Sequence, residues 1–305
     1  MGGYIIKRLM VGVVVLFAIM SISFFIMRLA PGGPFDEDKA LPEEVKANVE
    51  AKFGLNKPLY MQYLLAMKGY AQLDFGRSFK EPDRTVMTNL KEHFPISLEL
   101  GLYAFMVALL IGIGAGMIAG SKPGTARDHL TMSGAMIGIS VPNIVLGPIL
   151  LLFFATYLGW LPYGKWDSWQ HKILPSVTLG LVYAAYFSRL MRGGMLEVIR
   201  TDYMRTARAK GLPPGLVMRR HAIRGAILPT VTYMGPAFAS ILTGSVVVER
   251  IFSVPGVSDF FVKGALNRDY PMVMGVVVLY SGLLVFLNIC VDIAYTYLDP
   301  RVRLR

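Results

Sequence analysis

Four long stretches of this chain contain no charged side chain: the runs between Arg8 and Arg28, Glu99 and Lys122, Arg224 and Glu249, and Asp269 and Asp292. Roughly 20 apolar residues cross the hydrocarbon of a bilayer as a helix, so each run is long enough to span. Hydrophobic residues make up 54% of the chain and charged ones 17%, which places it in the membrane class and outside the soluble globular range. The run from His129 to Gly164 exceeds one span and reads as a helix kinked or broken near Pro142 and Pro148, followed by a short outer segment around Trp160. A sixth run, Ile173 to Ser188, is marginal in length and counts as a span only if Arg189 and Arg192 snorkel to the interface. The fold class is therefore all-α: a polytopic membrane protein with six transmembrane helices.

Six spans put both termini on one side, and the positive-inside rule chooses the cytoplasmic one. The segment from Arg189 to Arg224 carries nine basic residues against two acids, Glu197 and Asp202, more than topology requires. The loops assigned to the other side hold equal numbers of each sign, so the net charge of +11 is topological and gives no support for nucleic-acid binding. Lys7 and Arg8 precede an apolar run too long for a cleavable signal and without a small-residue cleavage site, so it reads as a helix. The one cysteine, Cys290, excludes an internal disulfide.

Three regions follow: a first transmembrane helix (1–30), a helical extracytoplasmic insert (31–95), and a five-helix core (96–305) that includes a cytoplasmic region at 189–226. In the insert, Pro42-Glu43-Glu44 starts a helical pattern that Gly54 closes, and Pro58 starts another ending near Gly76. An insert of this size makes a marginal core and is expected to pack on the membrane region. Gly112, Gly116 and Gly120 line one face of the second span, which reads as close helix packing rather than as part of a moving pathway; Gly134 and Gly138 repeat the pattern in the third.

Motifs for chemistry are missing. Gly159 to Lys165 spells GxxxxGK, but Trp166 stands where a magnesium-binding Ser or Thr is needed, no strand precedes it, and topology puts it outside. The four histidines fall in different loops with no metal-ligand spacing, and there is no GxSxG elbow. No catalytic residue, metal site or cofactor is expected on this chain. Asp292 reads equally as a pathway charge and as an ion-pair partner for a loop Arg or Lys, whereas Glu99 and Arg28 read as interfacial.

Within the basic segment, a helix through Tyr203 to Lys210 can end at Gly211, which lacks a Cβ and so reaches the left-handed cap conformation; Pro213 then blocks continuation. A second amphipathic helix can run from about Gly215 to Ala226. Its wetter side carries Arg219, Arg220 and Arg224, leaving Leu216, Val217 and Ile223 for burial. Such a segment either lies on anionic headgroups or plugs into a cleft on a cytosolic partner.

The stretch Arg205-Thr206-Ala207-Arg208-Ala209-Lys210-Gly211-Leu212, with His221-Ala222 and Leu228-Pro229, resembles the cytoplasmic signature of ATP-binding-cassette importer membrane subunits in its peptide-permease form. Arg28-Leu29-Ala30-Pro31-Gly32, Phe53-Gly54-Leu55, Lys57-Pro58-Leu59, Gln62-Tyr63, Asp74-Phe75-Gly76 with Ser78, Pro255-Gly256 and Asn267-Arg268-Asp269-Tyr270 are similar to the B-type subunit of oligopeptide permeases. Two departures from the general signature, Arg205-Thr206-Ala207 in place of Glu-Ala-Ala and the later Pro229, belong to the peptide-permease variant.

The resemblance implies the type I importer permease fold in a bacterial cytoplasmic (inner) membrane, with both termini inside. It implies oligopeptide or dipeptide cargo, a homologous membrane subunit as heterodimer partner, an extracytoplasmic peptide-binding protein, and two cytosolic ATPase subunits that hold the ATP and Mg²⁺. Residues Arg205 to Leu212 would then be the ATPase-coupling lever. For the pathway, small and polar positions in the third and fifth spans are the candidates: Ser140, Asn143, Tyr233, Ser240, Thr243 and Ser245. Importers of nickel or other small solutes share this architecture; an ATP-independent secondary transporter would need inverted repeats or midplane ion ligands, and neither is evident.

Overall fold

A computed structural model describes residues 2–29, 32–34, 48 and 50–298 of the chain. Among these the chain is helical: α1 (Gly2–Leu29), α2 (Leu59–Ala71), α3 (Val86–Ser121), α4 (Ala126–Ser140), α5 (Asn143–Leu150), α6 (Trp169–Ile199), α7 (Asp202–Ala209), α8 (Pro214–Val217), α9 (Ile223–Ala226), α10 (Leu228–Ile251), α11 (Ser258–Leu266) and α12 (Tyr270–Leu298). Five are long and apolar enough to cross a membrane: α1, α3, α6, α10 and α12. A sixth crossing is available if α4 and the segment Asn143–Tyr157, bent by 106°, count as one span. Contacts divide the chain into one unit of Met1–Pro95 with Gly256–Ile289 and another of Ile96–Pro255 with Cys290–Arg305.

The break in the third span falls at Pro142, as the sequence suggests. Pro148 does not break it: α5 continues past that proline into a π-helical turn, Leu151–Tyr157. The sixth run is no marginal span. α6 is 31 residues long and takes in Lys172, Arg189 and Arg192, two of which find carboxylate partners. Lys172 Nζ donates to Glu99 at 2.6 Å, and Arg192 grips Asp128 with two hydrogen bonds of 2.6 and 2.8 Å. Paired in this way, a charge that reads as a loop marker sits within a helix.

The glycine stripe is a packing seam. A Cβ on Gly112 would come within 2.6 Å of the Ala184 carbonyl oxygen, and one on Gly116 within 2.6 Å of the Ser188 carbonyl oxygen. A Cβ on Gly120 would lie 2.5 Å from the Met195 side chain. With no Cβ present, α3 approaches α6 backbone to backbone, and in lipid such close approach is what holds helices together. The α4 glycines share this only in part, since Gly138 meets Leu181 of α6 and Gly134 faces open space.

In the first unit, Phe75, Val86, Leu90, Met272, Val276 and Tyr280 form a core of their own. The start expected for a helix at Pro42 lies outside the described residues. Its end is visible: Gly54 takes φ +68°, and Leu55 N–H donates to the Glu50 carbonyl at 2.8 Å, closing the turn. α2 begins after Pro58 as expected but stops at Ala71, short of Gly76. Leu73 takes the left-handed position (φ +57°), and Asp74 N–H reaches back to the Gly69 carbonyl, so the cap needs no glycine. Gly76, also left-handed, serves the next turn by donating to Asp74 Oδ1.

Asp269 ties this unit together. Its buried carboxylate accepts hydrogen bonds from the Ser78 hydroxyl, the Phe79 N–H and the Met272 N–H in the first turn of α12. Asp269→Ala leaves these donors buried without an acceptor and removes a helix cap. A loss of about 1–3 kcal/mol is expected, seen as faster protease cleavage between Leu73 and Thr85 than in the native chain. Unchanged cleavage would show that the carboxylate holds nothing.

Candidate functional site

Helix α7 is only eight residues long, too short to be stable alone. It forms because one face is buried. Met204 and Ala207 pack with Met191, Met195 and Val198 of α6 and with Val217, Ala222 and Ala226 that follow. Removing a methionine from water is worth about 1.5–3 kcal/mol. Asp202 in the first turn and Arg208 in the last both suit the helix dipole. The opposite face is exposed and presents Arg205, Thr206, Arg208 and Ala209, continuing into Lys210 and Gly211. Arg205 and Asp202, 3.4 Å apart and largely solvated, form a weak pair that leaves this face free to exchange partners.

The eight coupling candidates therefore divide by burial. Arg205, Thr206, Arg208, Ala209, Lys210 and Gly211 face outward, whereas Ala207 is buried and Leu212 half-buried against the same core, so these two anchor the helix. Gly211 has φ +75° and donates its N–H to the Arg208 carbonyl at 3.0 Å, reversing the chain as the sequence predicts.

The second helix runs from Pro214 to Ala226 as α8, a π-helical turn at Met218–Ala222, and α9. Arg219, Arg220 and Arg224 are exposed and Val217 is buried as expected, but Leu216 is exposed and Ala222 and Ala226 are buried. The wider π turn rotates the apolar face relative to a regular α-helix. Gly194 and Gly225 let this hairpin sit directly on α6: a Cβ on Gly225 would lie 3.0 Å from Val198, and Gly194 faces the Ala226 backbone. The Asp128–Arg192 clamp fastens the 122–128 turn to the same helix, with Gly124 N–H also donating to Asp128 at 3.0 Å.

The pathway candidates scatter in role. Ser140 and Ser240 are exposed, and Asn143, Tyr233 and Thr243 are half-buried. Ser245 is fully buried, with its hydroxyl 2.7 Å from the Glu249 carboxylate, so it locks its own helix and lines no open path. Near Tyr233 the structure adds Tyr183 and Tyr186 of α6, with ring centroids 6.4 Å apart and Tyr186 6.2 Å from Tyr233. Treating α6 as a marginal span had hidden them, although their spacing of three on a helix was readable. Glu99, inside α3, is held by Lys172, Trp166 and Tyr103, and Arg28, in the last turn of α1, by Gln62 and the rings of Phe24 and Tyr270. Both carry protein partners. Asp292 is half-buried on α12.

Apolar spans, a glycine-packed helix pair, a sharply bent helix pair at Pro142 and a short basic helix anchored on α6 together define a multi-pass helical membrane protein. Two family models cover nearly all of the chain: the N-terminal membrane component of binding-protein-dependent transport systems over residues 1–101, and the inner membrane component of the same systems over residues 112–304. The chain belongs to this family of inner-membrane permease subunits.

Among its relatives, the oligopeptide transport system permease protein OppB of Haemophilus influenzae is 45% identical over 98% of this chain and 99% of its own length. OppB of Salmonella typhimurium is 46% identical over the same shares. The dipeptide transport system permease protein DppB of Bacillus subtilis is 40% identical over 100% of this chain and 99% of its own.

A solved structure of the MetNI methionine ABC transporter in inward facing conformations matches at a TM-score of 0.58 and 17% identity, covering 70% of this chain and 97% of that one. An amino acid ABC transporter solved with histidines matches at 0.52 and 16% identity, covering 75% and 95%. The fold is thus that of type I importer permeases. The family is a transport family and not a catalytic one, and membership implies ATPase and binding-protein partners.

Proposed function

We propose that this chain is one of two homologous membrane subunits of a peptide importer, and that the outward face of α7 is where a cytosolic ATPase grips it. The observation that carries the reading is the two-sided character of α7: Met204 and Ala207 are sealed into the core at the foot of α6, while Arg205, Thr206, Arg208 and Lys210 are solvated with no strong partner among the described residues. A helix anchored on one side and open on the other transmits a push from a docked protein directly into a span. Peptide cargo is supported by relatives at 40–46% identity named for oligopeptide and dipeptide transport.

In this reading both termini and α7 lie in the cytoplasm, and two ATPase subunits hold ATP and Mg²⁺. Residues 31–95 form an extracytoplasmic insert on the side where a binding protein delivers the peptide, and 96–305 form the permease core. Ser140, Asn143, Tyr233, Ser240 and Thr243 line the path, joined by Tyr183 and Tyr186. Hydroxyls and rings suit a cargo that varies in side chain but always presents a peptide backbone, because they offer tolerant hydrogen bonding and no fixed charge.

Arg208→Glu tests the docking face without disturbing the buried side of α7. In proteoliposomes holding the assembled importer, uptake of a labelled tripeptide is expected to fall about tenfold or more while the subunits stay together, because reversing one charge in a complementary interface is worth several kcal/mol. Full, tightly coupled uptake by this variant would overturn the assignment of α7.

A further inference from the structure

The first unit contains a cavity lined by none of the pathway candidates. α1 and α12 meet where Gly12 faces Val285, a Cβ on the glycine falling 2.8 Å from the valine side chain. Beside that crossing lies a wedge of about 1120 Å³, walled by Val13 and Phe17 of α1, by Leu283 and Phe286 of α12, and by α2 and the first turns of α3. Its volume exceeds the roughly 300–1,000 Å³ of an ordinary small-molecule site. The walls are apolar, so water has too few partners to fill them, and an empty wedge would forfeit dispersion contacts along its whole surface.

Two cations line the same space, Lys68 of α2 and Lys91 of α3. Both are exposed, and neither is ion-paired among the described residues. Tyr70 joins them; burial pushes its phenol up to about 12, against the pull of nearby Arg28, so it remains a neutral donor. An occupant that answers both features is apolar along most of its length and carries a negative group. A helix from a neighbouring protein would fill the wedge but leave two lysines to be neutralised.

We propose that this cavity binds an anionic phospholipid, its acyl chains lying between α1 and α12 and its phosphate held by Lys68 and Lys91. Lysine stems then line the apolar wall while their ammonium groups reach the headgroup level. The site belongs to the membrane face beside the insert and does not depend on what cargo the importer carries.

The test uses the assembled importer in nanodiscs containing phosphatidylglycerol and phosphatidylethanolamine. A phosphatidylglycerol with a diazirine on its acyl chain should label the α1 and α12 walls of the native complex on illumination. Native mass spectrometry after detergent extraction should show phosphatidylglycerol retained in preference, and Lys68→Gln with Lys91→Gln should lower that preference by about fivefold or more. Labelling confined to other surfaces, or an unchanged preference in the double variant, would overturn the proposal. So would efficient cross-linking of Phe286→Cys to the partner membrane subunit, which would mean a protein helix fills the wedge.

Discussion

Gly211→Pro should cut ATP-driven uptake about tenfold or more while leaving the spans folded. Gly211 sits at φ +75°, and proline is locked near −65°, so the turn after α7 cannot survive the substitution. The change also removes the N–H that closes the turn on the Arg208 carbonyl. A Cβ here would meet nothing within 4 Å, so the damage comes from conformation and not from crowding. That separates two variants of the same residue. Asn reaches the left-handed region several times more readily than most residues, so Gly211→Asn should keep most of the native uptake. Gly211→Pro should lose about tenfold or more, because a shift of about an ångström in a positioned element commonly removes about a hundredfold of activity. Peptide uptake per ATP hydrolysed, measured on the reconstituted importer, distinguishes the outcomes. Equal ratios in all three proteins would mean that the geometry of this turn plays no part in coupling.

Gly116→Leu should produce the largest loss of stability. The new Cβ would lie 2.6 Å from both the Met191 Cβ and the Ser188 carbonyl oxygen and 3.1 Å from the Arg192 N–H nitrogen, so two of the obstacles are backbone. Overpacking a dense interior costs about 1–3 kcal/mol where side chains can yield, and a backbone wall places this substitution at or above the top of that range. The detergent-solubilised protein should melt several degrees lower or fail to accumulate. Gly114→Leu is the control, since the same helix offers open space there and the change should stay within about 0.5 kcal/mol. Matching melting temperatures for the two variants would show that the α3–α6 seam is looser than the geometry indicates.

The parts of the fold legible in the sequence are those set by local rules. Four uncharged runs of spanning length announce α1, α3, α10 and α12, and Pro142 announces a break in the third span. Gly211 and Pro213 mark the end of α7 because only a few residues tolerate the left-handed region. Where a rule admits more than one residue, the local sequence does not choose between them. Leu73 and Ser253 both take the left-handed place at a helix end, with the following N–H closing the turn on the backbone, and no glycine signals either. Leu216 is expected on the buried face of an amphipathic helix but is exposed just before the π turn, and Ser245, a pathway candidate because it is small and polar, is buried against a carboxylate one turn along.

The candidate site divides along the same line. Its basic character, its cap and its place between two spans were written in the chain, because charge, turn chemistry and hydrophobic length act over a few residues and need no fold to be read. Which of its residues are anchors and which are free was settled only by the tertiary structure, where Met204 and Ala207 meet Val217 and Ala222 from the far side of the turn. The length of α6 was settled in the same way, by Glu99 and Asp128, carboxylates 73 and 64 residues distant from Lys172 and Arg192. Lys172 and Arg192 border an apolar run and still lie inside a helix, because a carboxylate meets each of them. The partner's position is a property of the folded chain and not of the local sequence.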